Sequence, residues 1–141
     1  MANRCWSPIL FLVLTSLAAC TPALPVPIAA QLNQEFKIQV DQSAVIATEE
    51  LTIRFIALSS DSRCPRGVQC VQAGEAAVSI SVTQKNDPPT ALVLNTNPPL
   101  KKDRASFANY EIQLKAVEPY PESLVKPNSK DYSVTLMVTK K

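Results

Sequence analysis

The chain of 141 residues contains no histidine. That absence removes histidine-activated nucleophiles and histidine-ligated zinc from the chemistry open to it. Glycine is nearly as scarce, with only Gly67 and Gly74. Tight primed hairpin turns need positive φ, so the scarcity predicts that prolines and longer loops join the secondary elements. Basic residues are not concentrated, since 14 lysines and arginines face 12 acids and no stretch interleaves them with aromatics. Nucleic acid is therefore not an expected partner. The densest charge run, Lys101-Lys102-Asp103-Arg104, follows Pro98-Pro99 and predicts a solvated loop. Neither a nucleophile elbow nor a glycine-rich oxyanion turn is present. The acids Glu49, Glu50, Asp61, Glu75 and Asp103 are scattered, with no spacing that sets two across a cleft. The expectation is a protein that is not an enzyme and holds no cofactor and no metal.

What is there begins at the N-terminus. Arg4 precedes an apolar run, Pro8 to Leu14, and Leu17-Ala18-Ala19-Cys20 closes it. A positive start, an apolar run too short to span a bilayer and small residues before a cleavage point read as a signal peptide over 1–19. Leu17-Ala18-Ala19-Cys20 resembles the lipobox of bacterial lipoproteins. The resemblance implies that Cys20 becomes the mature N-terminus, carrying a diacylglyceryl thioether and an amide-linked acyl chain such as palmitate. Two or more chains make a stable anchor, because each buried CH₂ contributes about 0.8 kcal/mol. The lipid bilayer is then a partner through acylated Cys20. Thr21, where inner-membrane lipoproteins commonly carry aspartate, implies the outer membrane in a Gram-negative host, on its periplasmic or surface face. Prolines 22, 25 and 27 follow. They favour an extended polyproline conformation and predict a tether over 20–33.

Trp6 falls within the signal, so tryptophan stacking on sugars is excluded and Tyr110, Tyr120 and Tyr132 remain as smaller aromatic platforms. With Cys5 removed and Cys20 lipidated, Cys64 and Cys70 are the remaining cysteines. In an exported, oxidising setting they are expected to form a disulfide that staples the turn Pro65-Arg66-Gly67-Val68-Gln69. Two thiolates without histidine do not complete a zinc site, and the spacing is not C-x-x-C.

Over 34–141 the hydropathy alternates with period two, and no window carries a helical period. Phe36, Ile38 and Val40 face one way; Leu51, Ile53, Phe55 and Ala57 do the same, with Ile56 and Leu58 predicting cover on the second face as well. Ala76, Val78, Ile80 and Val82 form the cleanest strand. Tyr110, Ile112, Leu114 and Ala116, then Tyr132, Val134, Leu136 and Val138, complete the set, with shorter candidates at Ala44–Thr48 and Ala91–Asn95. Asp87-Pro88-Pro89, Asn97-Pro98-Pro99, Pro119-Tyr120-Pro121 and Pro127-Asn128 break the runs. Seven to eight short strands predict one all-β domain, an antiparallel immunoglobulin-like β-sandwich, with a small barrel as the alternative.

Asp61-Ser62-Arg63-Cys64-Pro65 and Val68-Gln69-Cys70-Val71-Gln72-Ala73-Gly74-Glu75-Ala76 resemble a segment found in a family of bacterial exported proteins and lipoproteins of no established activity. Val117-Glu118-Pro119-Tyr120-Pro121 and Tyr132-Ser133-Val134-Thr135-Leu136 are similar to that family's ending. The departure is Gln72, where the family commonly has tryptophan. Independently of the resemblance, Asp61 and Ser62 are suited to side-chain turns and Gly74 to a bulge, so the segment reads as a stapled connection that sets strand register. Its rival reading is a binding loop, in which Arg63 and Arg66 flank a rigid, disulfide-clamped turn.

The functional expectation is a lipid-anchored protein of the cell envelope with a non-catalytic binding or structural β-domain and, as its partner, another envelope protein. The alternative is a protease-inhibitor-like protein that presents Arg63 and Arg66.

Overall fold

A computed structural model describes residues 25–96, 102–122 and 127–141. The expected signal peptide, the lipidation site Cys20, the start of the tether, the Asn97-Pro98-Pro99 breaker and Lys101 lie outside the described residues.

Alternating apolar residues form strands because a pleated chain points successive side chains to opposite faces. Glu35–Gln39 alternates between exposed and buried positions along its whole length, with Phe36 and Ile38 inside. Among the described residues the strands are β1 (Ile28–Ala29), β2 (Glu35–Gln39), β3 (Ser43–Ile46), β4 (Leu51–Asp61), β5 (Ala76–Gln84), β6 (Thr90–Asn95), β7 (Arg104–Phe107), β8 (Tyr110–Glu118) and β9 (Ser133–Lys140). They make a five-stranded sheet in the order β1-β3-β4-β5-β6 and a four-stranded sheet in the order β2-β9-β8-β7. All pairings are antiparallel except that of β1 with β3. Side chains from the facing surfaces of both sheets form one core, with Phe55, Ile80, Ile112 and Leu136 fully buried. Each such side chain contributes about 1.5–3 kcal/mol relative to an exposed one. The architecture is the expected all-β sandwich, not a closed barrel, since each sheet has two different edge strands.

Among the described residues there are nine strands, where seven to eight were expected. β1 arises within the stretch expected as tether, where Ala30 also donates its amide to the Val45 carbonyl at 2.9 Å. β7 begins at Arg104, the last residue of the charge run expected as a solvated loop. In that run Asp103 is buried, accepting from the Gln113 side chain at 3.0 Å while its own carbonyl takes the Leu114 amide at 2.7 Å. Neighbouring charge gave no hint of that backbone pairing.

Three bulges, two in β4 and one in β8, changed which side chains face inward. β4 shifts register against β5 between Phe55 and Ala57 and again between Leu58 and Ser60. Directly paired residues share a face, so Leu58, opposite buried Val78, turns inward, and Ile56 is left 40% exposed rather than covered. In β8 a shift between Leu114 and Ala116 places Val117, not Ala116, in the core opposite Val134.

The scarcity of glycine did not prevent tight turns. Asn33, Asp41, Glu50, Lys85 and Ala108 take positive φ instead, and β7 and β8 are joined by only Ala108 and Asn109. One end of the sandwich carries the β2–β3, β4–β5 and β8–β9 connections. The other carries the β1–β2, β3–β4, β5–β6 and β7–β8 connections.

Candidate functional site

The site is built at the first of these ends. The second bulge of β4 sets Asp61 opposite Ala76, a fully buried residue, and so aims a carboxylate inward at the last position of the strand. A buried carboxylate needs a partner. Arg63 supplies it two residues on, donating from Nε to Asp61 Oδ1 at 2.8 Å and from Nη2 to Oδ2 at 2.7 Å, while its backbone amide reaches Oδ1 at 3.2 Å. This two-pronged match of guanidinium to carboxylate is the geometry arginine offers and lysine does not.

The same guanidinium crosses to the other sheet. Nη1 donates to the Val117 carbonyl at 2.6 Å and Nη2 to the Pro119 carbonyl at 2.9 Å. Tyr132 completes the cluster, donating its hydroxyl to Asp61 Oδ2 at 3.4 Å. Arg63 is only 8% exposed. It therefore clasps the end of β4 to the end of β8, and the three sequence stretches that carried the resemblance, around Arg63, Val117 and Tyr132, meet at this point.

Burial alone would raise the Asp61 pKa, but the hydrogen bonds and charge of Arg63, helped by Tyr132, more than offset it and hold the carboxyl below its ordinary value. Burial, followed by the charge and hydrogen bond of Asp61, pushes the Tyr132 phenol up.

Tyr120 lies over this clasp, with the Arg63 guanidinium 4.8 Å from its ring centroid and that of Arg66 at 5.3 Å. Arg66 is exposed, faces Glu122 at 3.3 Å and takes the Pro121 carbonyl through its backbone amide at 3.0 Å. These residues border an open groove of about 1210 Å³ whose walls include Lys37, Lys115, Glu118 and Asp131. Lys37 and Glu118 pair with one another across it.

Cys64 and Cys70 are bridged, with Cα atoms 6.0 Å apart. Below the bridge the loop is closed by backbone bonds from Cys64 to Ala73 at 3.1 Å and from Ser62 to Glu75 at 2.8 Å. Gly74 is required there: its φ is +62°, and a Cβ would sit 1.8 Å from the Ser62 carbonyl oxygen. Gly67 also has positive φ, but faces open space.

The two arginines singled out as a presented pair thus have different fates. Arg66 is exposed, whereas Arg63 is buried and its donors are engaged, which corrects its assignment to an exposed binding loop. Of the tyrosine platforms, Tyr110 and Tyr132 are buried and only Tyr120 reaches the surface. The scattered acids are not gathered: Asp61 belongs to the clasp, while Glu49 is at the opposite end. There Glu49 accepts from the Tyr110 hydroxyl and from Lys140 at 3.0 Å; these bonds, the tyrosine's foremost, lower the Glu49 pKa and raise those of both donors. Among the described residues no three Cys, Asp or Glu side chains converge as metal ligands would. Sequence reasoning missed the carbonyls of Val117 and Pro119, whose only signal was the Pro119-Tyr120-Pro121 breaker.

No protein-family model, no curated protein and no solved structure matches the chain.

Proposed function

We propose that this protein is an exported lipoprotein, anchored to a cell-envelope membrane through acylated Cys20, whose β-sandwich is a non-catalytic binding or structural module. The observation that carries the reading is Leu17-Ala18-Ala19-Cys20 at the end of a short apolar run that begins after Arg4. The clasp supports the second half of it. Asp61 and Arg63, two of the charged residues of the one distinctive segment, are spent on each other and on carbonyls of the opposite sheet, so their chemistry serves to hold the sandwich end together. A rigid end of this kind leaves the groove beside Tyr120 and Arg66 as the surface for an envelope protein partner, because a pre-ordered loop loses little entropy on docking. In a Gram-negative host, Thr21 in place of aspartate favours the outer membrane for the anchor.

The inhibitor reading now rests on Arg66 alone, whose guanidinium is exposed on a disulfide-clamped turn. Full trypsin activity in the presence of micromolar protein would remove it.

The test of the main reading is intact mass spectrometry of the protein purified from host membranes, before and after reduction and alkylation. The expected result is a chain beginning at Cys20 with acyl additions, and thiols that react only after reduction. A chain that retains residues 1–19, or carries an unmodified Cys20, would overturn the anchor.

A further inference from the structure

From the geometry of the sheet edges we infer that β6 is a self-association element, to which a second copy of this chain adds its own β6 antiparallel, joining two five-stranded sheets into one. The pairing does not depend on the anchor.

Each sheet leaves two edge strands, and an unpaired edge is a template for another strand unless something blunts it. Three of the four are blunted. β1 has only two residues, β2 exposes Glu35 and Lys37, and β7 has four residues and opens with exposed Arg104. β6 has six residues, and the sequence from Pro88 to Thr96 carries no charge. It is the one long unguarded edge among the described residues.

The hydrogen-bond phase of β6 shows which of its groups are open. Thr96 donates its amide to the Ala76 carbonyl at 2.9 Å, on the β5 side, whereas Asn95 donates outward to the Lys102 carbonyl at 2.8 Å. Amides alternate in direction along a strand, so those of Ala91 and Val93 point outward as well. Among the described residues neither meets a backbone partner on that side. Ala91 is exposed, and Val93 is 61% exposed. Lys102 closes the edge at Asn95, and Pro89 has no amide to offer at the other end.

A second copy fits this edge by two-fold symmetry. In antiparallel pairing centred on Ala91, the two Ala91 residues exchange a pair of amide-to-carbonyl bonds and each Val93 donates to the Pro89 carbonyl of the other copy. Every open donor is then used, and Val93 covers exposed Pro89 of the other copy. Charge selects the same occupant. Asp87 stands before β6 and Lys102 lies beside its last residue, both exposed. Antiparallel pairing sets Asp87 opposite Asn95 of the other copy, where Lys102 is bonded, so unlike charges meet twice. The paired edge is only about 20 Å long at the usual rise per residue, well short of a standard interface, so the dimer is reversible and depends on concentration.

Sedimentation equilibrium of the full protein in density-matched detergent, with micelles in excess, tests this from low micromolar to near-millimolar concentration. The protein mass is expected to rise from one copy toward two, while hydrogen exchange at the Ala91 and Val93 amides slows over the same range. Ala91→Pro removes an outward amide without touching the β5 ladder, and should hold the protein at one copy throughout. Asp87→Lys and Lys102→Asp should each weaken the dimer severalfold, because like charges then meet. Their equimolar mixture should regain it, because each variant supplies the charge the other lacks. Both lie in exposed turns, so they test the pairing whether or not Ala91→Pro folds, which far-ultraviolet circular dichroism reports. A one-copy mass at every concentration, a dimer unchanged by a folded Ala91→Pro, or a mixture no tighter than its components would overturn the inference.

Discussion

Replacing Arg63 by alanine should be among the most damaging single changes in the domain. The side chain makes four hydrogen bonds, two to Asp61 at 2.7 and 2.8 Å and two to the Val117 and Pro119 carbonyls at 2.6 and 2.9 Å. Its removal leaves a carboxylate whose side chain is only 10% exposed without its counter-ion. Breaking one side of a buried pair costs about 3–5 kcal/mol. That is a large part of the roughly 5–15 kcal/mol that holds an ordinary domain folded. Urea unfolding of the oxidised protein, followed by circular dichroism, measures it. Arg63→Lys keeps the charge but not the fork, and should fall between wild type and alanine.

The pH dependence carries the sign of the mechanism. In the wild type the folded Asp61 pKa is depressed, so its contribution is fully present above the unfolded value of about 3.9 and is lost as pH falls through the lower folded value. In Arg63→Ala the lowering partner is gone and burial raises the same pKa. Asp61 then weakens the fold at neutral pH, and acid relieves that weakness from above about pH 3.9. The gap between the two proteins should be widest near neutrality and shrink toward low pH. A loss below about 1 kcal/mol, the size expected of an exposed ion pair, or a gap that does not change with pH, would refute the clasp.

Other substitutions test the loop and turns. Gly74→Ala should destabilise by more than about 2 kcal/mol because its Cβ collides with the Ser62 carbonyl, whereas Gly67→Ala should cost only about 1 kcal/mol of backbone preference, both read by urea unfolding. Replacing Cys64 and Cys70 together by serine should cost about 2 kcal/mol while the sandwich persists, since so short a loop removes little chain entropy; a drop in thermal midpoint with unchanged circular dichroism is the expected signature. Ala108→Gly should raise stability by about 0.5–1 kcal/mol, because the exposed Ala108 is held at φ +48°; an unchanged midpoint in urea would argue against strain at that turn.

The amino-acid order by itself determined the period of the strands, and with it the fold class. Where apolar residues alternate without interruption, as in Ala76 to Val82 and Val134 to Val138, pleat geometry leaves one face to bury. It also determined the disulfide, because two thiols six residues apart across a proline turn need no distant information to meet. What it did not contain were the bulges of β4 and β8, each a mismatch between two strands and invisible in either alone. Those mismatches decide that Ile56 faces solvent, that Val117 replaces Ala116 in the core and that Asp61 turns inward. The fate of Arg63 follows from the same cause. Local sequence showed an arginine beside a rigid turn, as suited to display as to burial, and its partners Val117 and Pro119 lie 54 and 56 residues away. Only the packing of one sheet on the other brings those carbonyls within reach, and desolvation then makes an internal clasp the stable place for the charge.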